Sequence, residues 1–201
     1  MAERRPAARS RGRPSDEAID RALIESARAE FNERGYHAMS MESIAARAGV
    51  SKVSLYRRWP SKSAVVAELF GLMGEDSPAD DRGSLEADIR ALLGRLMGSS
   101  DAASAGRIVM RTMGEISGDP GLLALYRDRL FAPRVEQMRA IVERARARGE
   151  LRAGMATDIA CAMVAGPLFL YYLTLLAGVE VHLSRDPVGQ LTRAMCEAIS
   201  K

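Results

Sequence analysis

Residues 41–62, MESIAARAGVSKVSLYRRWPSK, admit few backbone solutions. They read as two short helices joined by a sharp turn. Ser40 precedes the first helix and Ser51 the second; a serine oxygen there accepts from the unpaired N–H groups of the first turn. Gly49 falls between them, where a tight turn needs positive φ, which only glycine takes without steric cost. Ile44, Ala45, Ala48, Val50 and Leu55 are apolar at positions that face inward when two helices cross. Ala45 serves by its small size, because steeply crossing helices need a short side chain at closest approach. A pair built this way is a helix-turn-helix, whose second helix fits the DNA major groove.

The second helix, Lys52 to about Trp59, carries Lys52, Val53, Ser54, Tyr56, Arg57 and Arg58 around one apolar anchor, Leu55, and has no acidic residue. Lys and Arg neutralise phosphates or donate to guanine edges, and Ser and Tyr hydroxyls bond phosphate oxygens. Pro60 stops the helix and Ser61 caps the next. Lys62 then lies in a first turn, where a cation opposes the helix dipole and calls for an anion such as a DNA phosphate. The expected DNA contacts are Ser40, Ser51, Lys52, Val53, Ser54, Tyr56, Arg57, Arg58 and Lys62. The competing reading is an ordinary surface helical hairpin with scattered charges.

The combination Gly35-Tyr36, Ile44-Ala45, Ala48-Gly49-Val50-Ser51-Lys52, Leu55-Tyr56 and Trp59-Pro60-Ser61-Lys62 resembles the DNA-binding domain of the TetR family of transcriptional regulators. The match covers about residues 17–77. It implies an all-α chain of about nine helices. An N-terminal three-helix helix-turn-helix domain (15–74, motif 41–60) would precede a C-terminal helical ligand-binding and dimerisation domain (84–201). Val53 stands where the family often has Gly or Ala, and Ser54 where it often has Thr. Val53 therefore places unusual bulk at a groove-facing position and is expected to alter base preference.

Composition agrees. Nearly half of the 201 residues are apolar and aromatics are few, while Ala, Leu and Arg abound, as in helical globular chains. Net charge is +3 but unevenly spread: residues 1–62 hold 13 Lys+Arg against 8 Asp+Glu, and the rest 16 against 18. A basic N-terminal third on a slightly acidic body suits a nucleic-acid reader with a second module. Residues 1–14, MAERRPAARSRGRP, form a Pro-broken basic arm. It is read either as a strap with Arg11 and Arg13 in the minor groove or as a solubilising tail. Cys161 and Cys196 match no metal spacing and are expected to be buried, reduced thiols, with a redox switch the lesser reading. No apolar run follows the charged N-terminus, so no secretory signal is expected and the location is read as cytoplasmic.

Periodicity lays out the remainder. A first helix from about Ser15 or Asp16 to Arg34 turns Ile19, Leu23, Ala27 and Phe31 to one face, and Gly35 ends it. A helix from Ser61 to about Met73 leads out of the DNA-binding domain, and residues 74–83, GEDSPADDRG, read as a linker. Five body helices follow. The third, from Asp119-Pro120 to about Gly149, is long, and Pro133 should kink or interrupt it. Its Arg139, Arg144, Arg146 and Arg148 read as a solvated face. Residues 159–179 hold no charge over 21 positions, long enough for a membrane span. Flanking Asp158 and Glu180 and the internal Gly166-Pro167 argue instead for burial against the body and a second copy. The last helix, about 186–200, has Val188, Leu191, Met195 and Ile199 on one stripe. The two C-terminal helices (about 158–179 and 186–200) are expected to dock with their twins as a four-helix bundle. The RGELR run (148–152) and the later AGPLFLYYLTLL resemble the C-terminal half of one large TetR subgroup.

These observations point to a homodimeric regulator, a repressor released from a palindromic operator when a small apolar or amphipathic effector enters the body. The expected pocket residues are Met97, Met110, Met113, Tyr126, Phe131, Met138, Phe169 and Tyr172. A ligand-independent DNA-binding regulator or architectural protein is the alternative. An enzyme is disfavoured: no metal-spaced cluster, phosphate loop or triad-like set occurs, and His37 and His182 are the only histidines. No cofactor is expected.

Overall fold

The computed structural model describes residues 16–74, 81–98, 102–177 and 186–201. The fold is all-α: α1 (Asp16–Ala38), α2 (Met41–Ala48), α3 (Lys52–Arg58), α4 (Lys62–Gly74), α5 (Leu85–Gly98), α6 (Ala102–Glu115), α7 (Pro120–Tyr126), α8 (Ala132–Ala147), α9 (Thr157–Leu176) and α10 (Pro187–Ile199). A π turn, Arg127–Phe131, joins α7 to α8 with helical dihedrals at both junctions, so the two make one rod and the described residues form nine. Pro133 explains that turn. It has no N–H for the carbonyl four residues back, and just before it the Ala132 N–H donates to Arg127, five residues back. The break expected at Pro133 is thus a change of hydrogen-bond register, with the rod continuing through it.

The caps expected at Ser40, Ser51 and Ser61 are in place, and Ser84 and Asp119 cap two further helices. Ser40 and Ser43 exchange the reciprocal bonds of a capping box at α2. Ser51 accepts from the Ser54 N–H, Ser61 from Ala64, Ser84 from Ala87, and Asp119 from Leu122. Gly49 closes α2 at φ 67°, as the turn requires. Gly35 breaks α1 at φ 79°, so the long helical run ends near Arg34 and residues 36–38 form a separate turn.

Two apolar cores result. The first gathers Leu23, Phe31, Ile44, Leu55, Val66 and Phe70 from α1–α4 and continues into Ile108, Leu122 and Leu130 of α6, α7 and the π turn. The second joins α5, α8, α9 and α10 through Ile89, Leu93, Ile141, Val164, Met195 and Ile199. The stripe on α10 therefore faces its own fold: Met195 and Ile199 are buried, and Val188 and Leu191 pack beside them. The expected solvated Arg face holds for Arg139 and Arg146, which are well exposed, but not for Arg144 and Arg148. Arg144 and Arg148 converge on the buried Asp88 of α5 at 3.4 and 3.3 Å, and Arg139 pairs with Asp158 at 3.0 Å.

Helix α9 is apolar and long enough, by length and composition, to cross a membrane. It packs against α6, α8 and α10 and contains Pro167. One stripe of it is uncovered within one chain: Ile159, Phe169, Leu170 and Leu173 are exposed, with Ala162 and Gly166 on the same stripe. The arm with Arg11 and Arg13, most of the linker, and His182 lie outside the described residues.

Candidate nucleic-acid interface and effector cavity

Helix α3 has seven residues and one buried side chain, Leu55. Its outward face carries Lys52, Val53, Tyr56 and Arg57, with Val53 77% exposed. This spacing of i, i+1, i+4 and i+5 puts all four within one arc of a helix that turns 100° per residue. Lys52 Nζ lies 3.1 Å from Glu42 Oε1, an exposed pair on the preceding helix. The Glu42 carboxyl is held below its ordinary value first by its own backbone N–H and then by Lys52. An exposed pair of this kind contributes little, so Lys52 exchanges it for a phosphate at small cost.

Ser40 and Ser51 sit at the helix starts, where their hydroxyls cap the backbone, and Ser51 Oγ also lies 3.1 Å from Ser54 Oγ. Arg58 is placed otherwise than expected. Its side chain is 12% exposed and points back to α1, donating to Asp20, to Asp16 at 2.8 Å and to the Ser54 carbonyl at 3.2 Å. Helical geometry accounts for this, since Arg58 lies about 170° from the centre of the outward arc. It fixes α3 against α1, as Arg47 fixes α2 through Glu30 (3.2 Å) and Glu33 (2.6 Å).

Lys62 is also engaged within the chain. Nζ donates to the Tyr36 carbonyl at 2.7 Å and the His37 carbonyl at 3.3 Å, and lies 4.5 Å from the centre of the Tyr36 ring. The cation that opposes the α4 dipole is thus compensated by the carbonyls that end α1. From the other side Glu115, the last residue of α6, accepts from the His37 N–H at 3.1 Å. Its carboxylate lies where a side chain on Gly35 would start, so a larger residue there would have to displace it as well as adopt a positive φ.

The body holds a cavity of about 130 Å³ between α5, α6, the α7–α8 rod and α9. Five of the residues proposed for a pocket, Tyr126, Phe131, Met138, Phe169 and Tyr172, line it. Met97, Met110 and Met113 do not. Met110 is buried in the first core and Met97 packs against the second. Sequence reasoning chose them for side-chain adaptability, which carries no information about the direction each faces. It missed Arg95 and Arg134, both in the lining. The available signal for Arg134 was its position next to Pro133, where the rod changes register.

The cavity wall is continuous with the seat of α4. Tyr126 stacks with Phe131 at 6.0 Å and meets Phe70 of α4 edge-on at 6.1 Å. Burial pushes the Tyr126 hydroxyl above its ordinary value. Arg134 Nη2 donates to the Met73 carbonyl, one residue from the end of α4, at 3.1 Å. Tyr172 donates to the Leu96 carbonyl at 2.7 Å, and its ring lies against Gly106, where a side-chain carbon would collide with it.

Comparison with known proteins agrees with this architecture. Residues 23–69 match the family model described as "Bacterial regulatory proteins, tetR family", and residues 79–195 match "Tetracyclin repressor-like, C-terminal domain". The chain is 33% identical over 176 residues to the uncharacterized HTH-type transcriptional regulator YdeS of Bacillus subtilis (strain 168), covering 86% of each. It is 22% identical over 160 residues to the HTH-type transcriptional regulator AqdR of Rhodococcus erythropolis, covering 79% of this chain and 76% of that one. Among solved structures, full-length tylp, a TetR regulator from Streptomyces fradiae, superposes with a TM-score of 0.70 at 24% identity, over 94% of this chain and 89% of that one. A regulator from Saccharomonospora viridis in complex with choline gives 0.72 at 18% identity, over 93% and 100%. The chain belongs to the TetR family of DNA-binding transcriptional regulators.

Proposed function

We propose that this chain is a cytoplasmic homodimeric repressor that sets one α3 in each of two successive major grooves of a palindromic operator. The observation that carries the reading is the outward arc of Lys52, Val53, Tyr56 and Arg57 on a helix braced from behind by Leu55 and Arg58. Ser54 lies at the edge of the arc, and Ser40 and Ser51 present helix N-termini suited to phosphate. Arg11 and Arg13 would follow the backbone into the adjacent minor groove.

The twin docks on the uncovered stripe of α9, with the outward residues of α10 at its rim. An exposed run of Ile159, Phe169, Leu170 and Leu173 needs a cover in water, and a two-fold partner supplies an identical run. Phe169 belongs both to this stripe and to the cavity wall, so docking also shelters the cavity mouth. A small effector seated there acts on α4 through Tyr126 and Arg134 and lowers DNA affinity by favouring a different head separation.

Selection of bound sites from random DNA tests the whole reading. The expected result is an inverted repeat with half-sites one helical turn or a multiple apart, bound by a species that sediments as a dimer. A selected motif without two-fold symmetry, or a chain that stays monomeric at every concentration, overturns it.

A further inference from the structure

We infer that the ligand of the body cavity is a small, flat organic carboxylate, and that it acts by competing with the Met73 carbonyl for Arg134. The inference deepens the effector reading and rests on it. Two of the chain's four phenylalanines and two of its five tyrosines line this one cavity, so its apolar part suits an aromatic body. Among the described residues, the charged side chains in the lining are Arg95 and Arg134, and none is a carboxylate. A guanidinium beside an apolar cavity is costly unless an anion or an acceptor satisfies it. Among the described residues Arg95 makes no ion pair, while Arg134 has the Met73 carbonyl as one of its partners.

That bond makes the ligand's charge matter. Met73 is next to last in α4, and its carbonyl is one of the group that a helix end leaves without intrahelical donors. Arg134 therefore ties the end of α4 to the rod that lines the cavity. A carboxylate is a stronger acceptor for guanidinium than a neutral carbonyl, and it can take two N–H bonds at once. An anion in the cavity draws Arg134 inward and frees the end of α4. A neutral ligand of the same shape fills the apolar space and leaves the tie in place.

Isothermal titration of the full-length protein with 2-naphthoate, 2-naphthamide and naphthylmethyl-trimethylammonium separates these cases. The naphthoate is expected to bind about tenfold tighter than the amide, the difference between a charged and a neutral partner for arginine. Arg95→Gln and Arg134→Gln should each bring that ratio toward one, by weakening naphthoate more than the amide. Hydrogen exchange at the end of α4 should rise with naphthoate but not with amide in the natural sequence, and should already be raised in Arg134→Gln without ligand. If Arg134→Gln does not fold, Arg95→Gln and the probe comparison decide the matter alone. Equal affinities for naphthoate and amide, tighter binding of the ammonium, binding of none of the three, or a ratio unchanged in Arg95→Gln overturns the inference. DNA release by a neutral or cationic compound would sink this inference and leave the effector reading standing.

Discussion

Replacing Leu55 by alanine probes the brace behind the reading face. Helix α3 is seven residues long, and an isolated helix needs about 12–15 to hold its shape in water. Its position therefore depends on its attachments: the Ser51 cap, the Arg58 bonds to α1, and Leu55, which is 0% exposed. Truncation to alanine removes three carbons from the core, about 2.4 kcal/mol at roughly 0.8 kcal/mol per buried methylene, before the cavity left behind is counted. The total is about 3 kcal/mol, within the range for buried leucines, or roughly a hundredfold in the folding equilibrium. Urea unfolding followed by circular dichroism measures the loss, and a gel shift on a selected operator measures the consequence for binding. Val53→Ala is the control. At 77% exposure it should leave stability unchanged and alter only which sequence is selected. A Leu55→Ala protein that loses less than about 1 kcal/mol and still binds its operator would refute the claim that the core places α3.

Lys62→Ala should lower stability by roughly 1–2 kcal/mol, because it leaves the Tyr36 carbonyl without its charged donor. Affinity for all DNA sequences should fall alike while the slope of affinity against salt stays the same; a slope reduced by about one phosphate contact would instead place Nζ on DNA. Gly106→Ala should destabilise by about 1–3 kcal/mol and weaken binding in the cavity, since the new carbon meets the Tyr172 ring. A stabilised variant, the usual outcome of Gly→Ala within a helix, would show that the ring has room to move. The Cys196 thiol, raised from 9.0 to about 11 by burial and then by Glu86 and Glu150, should resist alkylation through pH 9 and react only above about pH 10. The fold disfavours its thiolate, so this group's contribution to stability is full below about pH 9 and is lost as pH rises toward 11. Labelling at pH 7.5 as fast as a free thiol would contradict this.

The features legible in the sequence were those whose causes lie within a few residues. Ser40 with Ser43, Gly49, Ser51 and Asp119 each act on backbone three or four positions away, so their types and spacing specify the caps and turns directly. The same locality could have placed Arg58, because its angle around α3 follows from the 3.6-residue turn; charge alone had put it on the DNA face. Other features depend on partners distant in the chain. Nothing near Arg144 or Arg148 announces Asp88, nearly sixty residues earlier. The apolar stripe of α10 was visible, but the choice between its own α5 and a second copy is made by tertiary packing. Of the residues proposed for the cavity, all four aromatics line it but only one of the four methionines, Met138, does. Methionine fills gaps wherever they arise, so its presence on a helix does not say which gap it fills.

The covalent link between the reading head and the body runs through residues 75–83, but the physical link does not. The first core passes without interruption from α1–α4 into α6, α7 and the π turn, so the head rests on the body along the length of α1 and α4. One corner, residues 35–37, takes a bond from each neighbour: Glu115 reaches it from α6 and Lys62 from α4. It stands just before the Ser40 cap of α2. If the end of α4 moves while α6 holds still, the two bonds are drawn in different directions, and the corner must turn or one bond must break. Turning the corner turns α2, and with it α3. On the proposed effector mechanism, a motion begun at Met73 would reach Lys52 through rigid elements and these hydrogen bonds, with no change inside either helix of the reading pair.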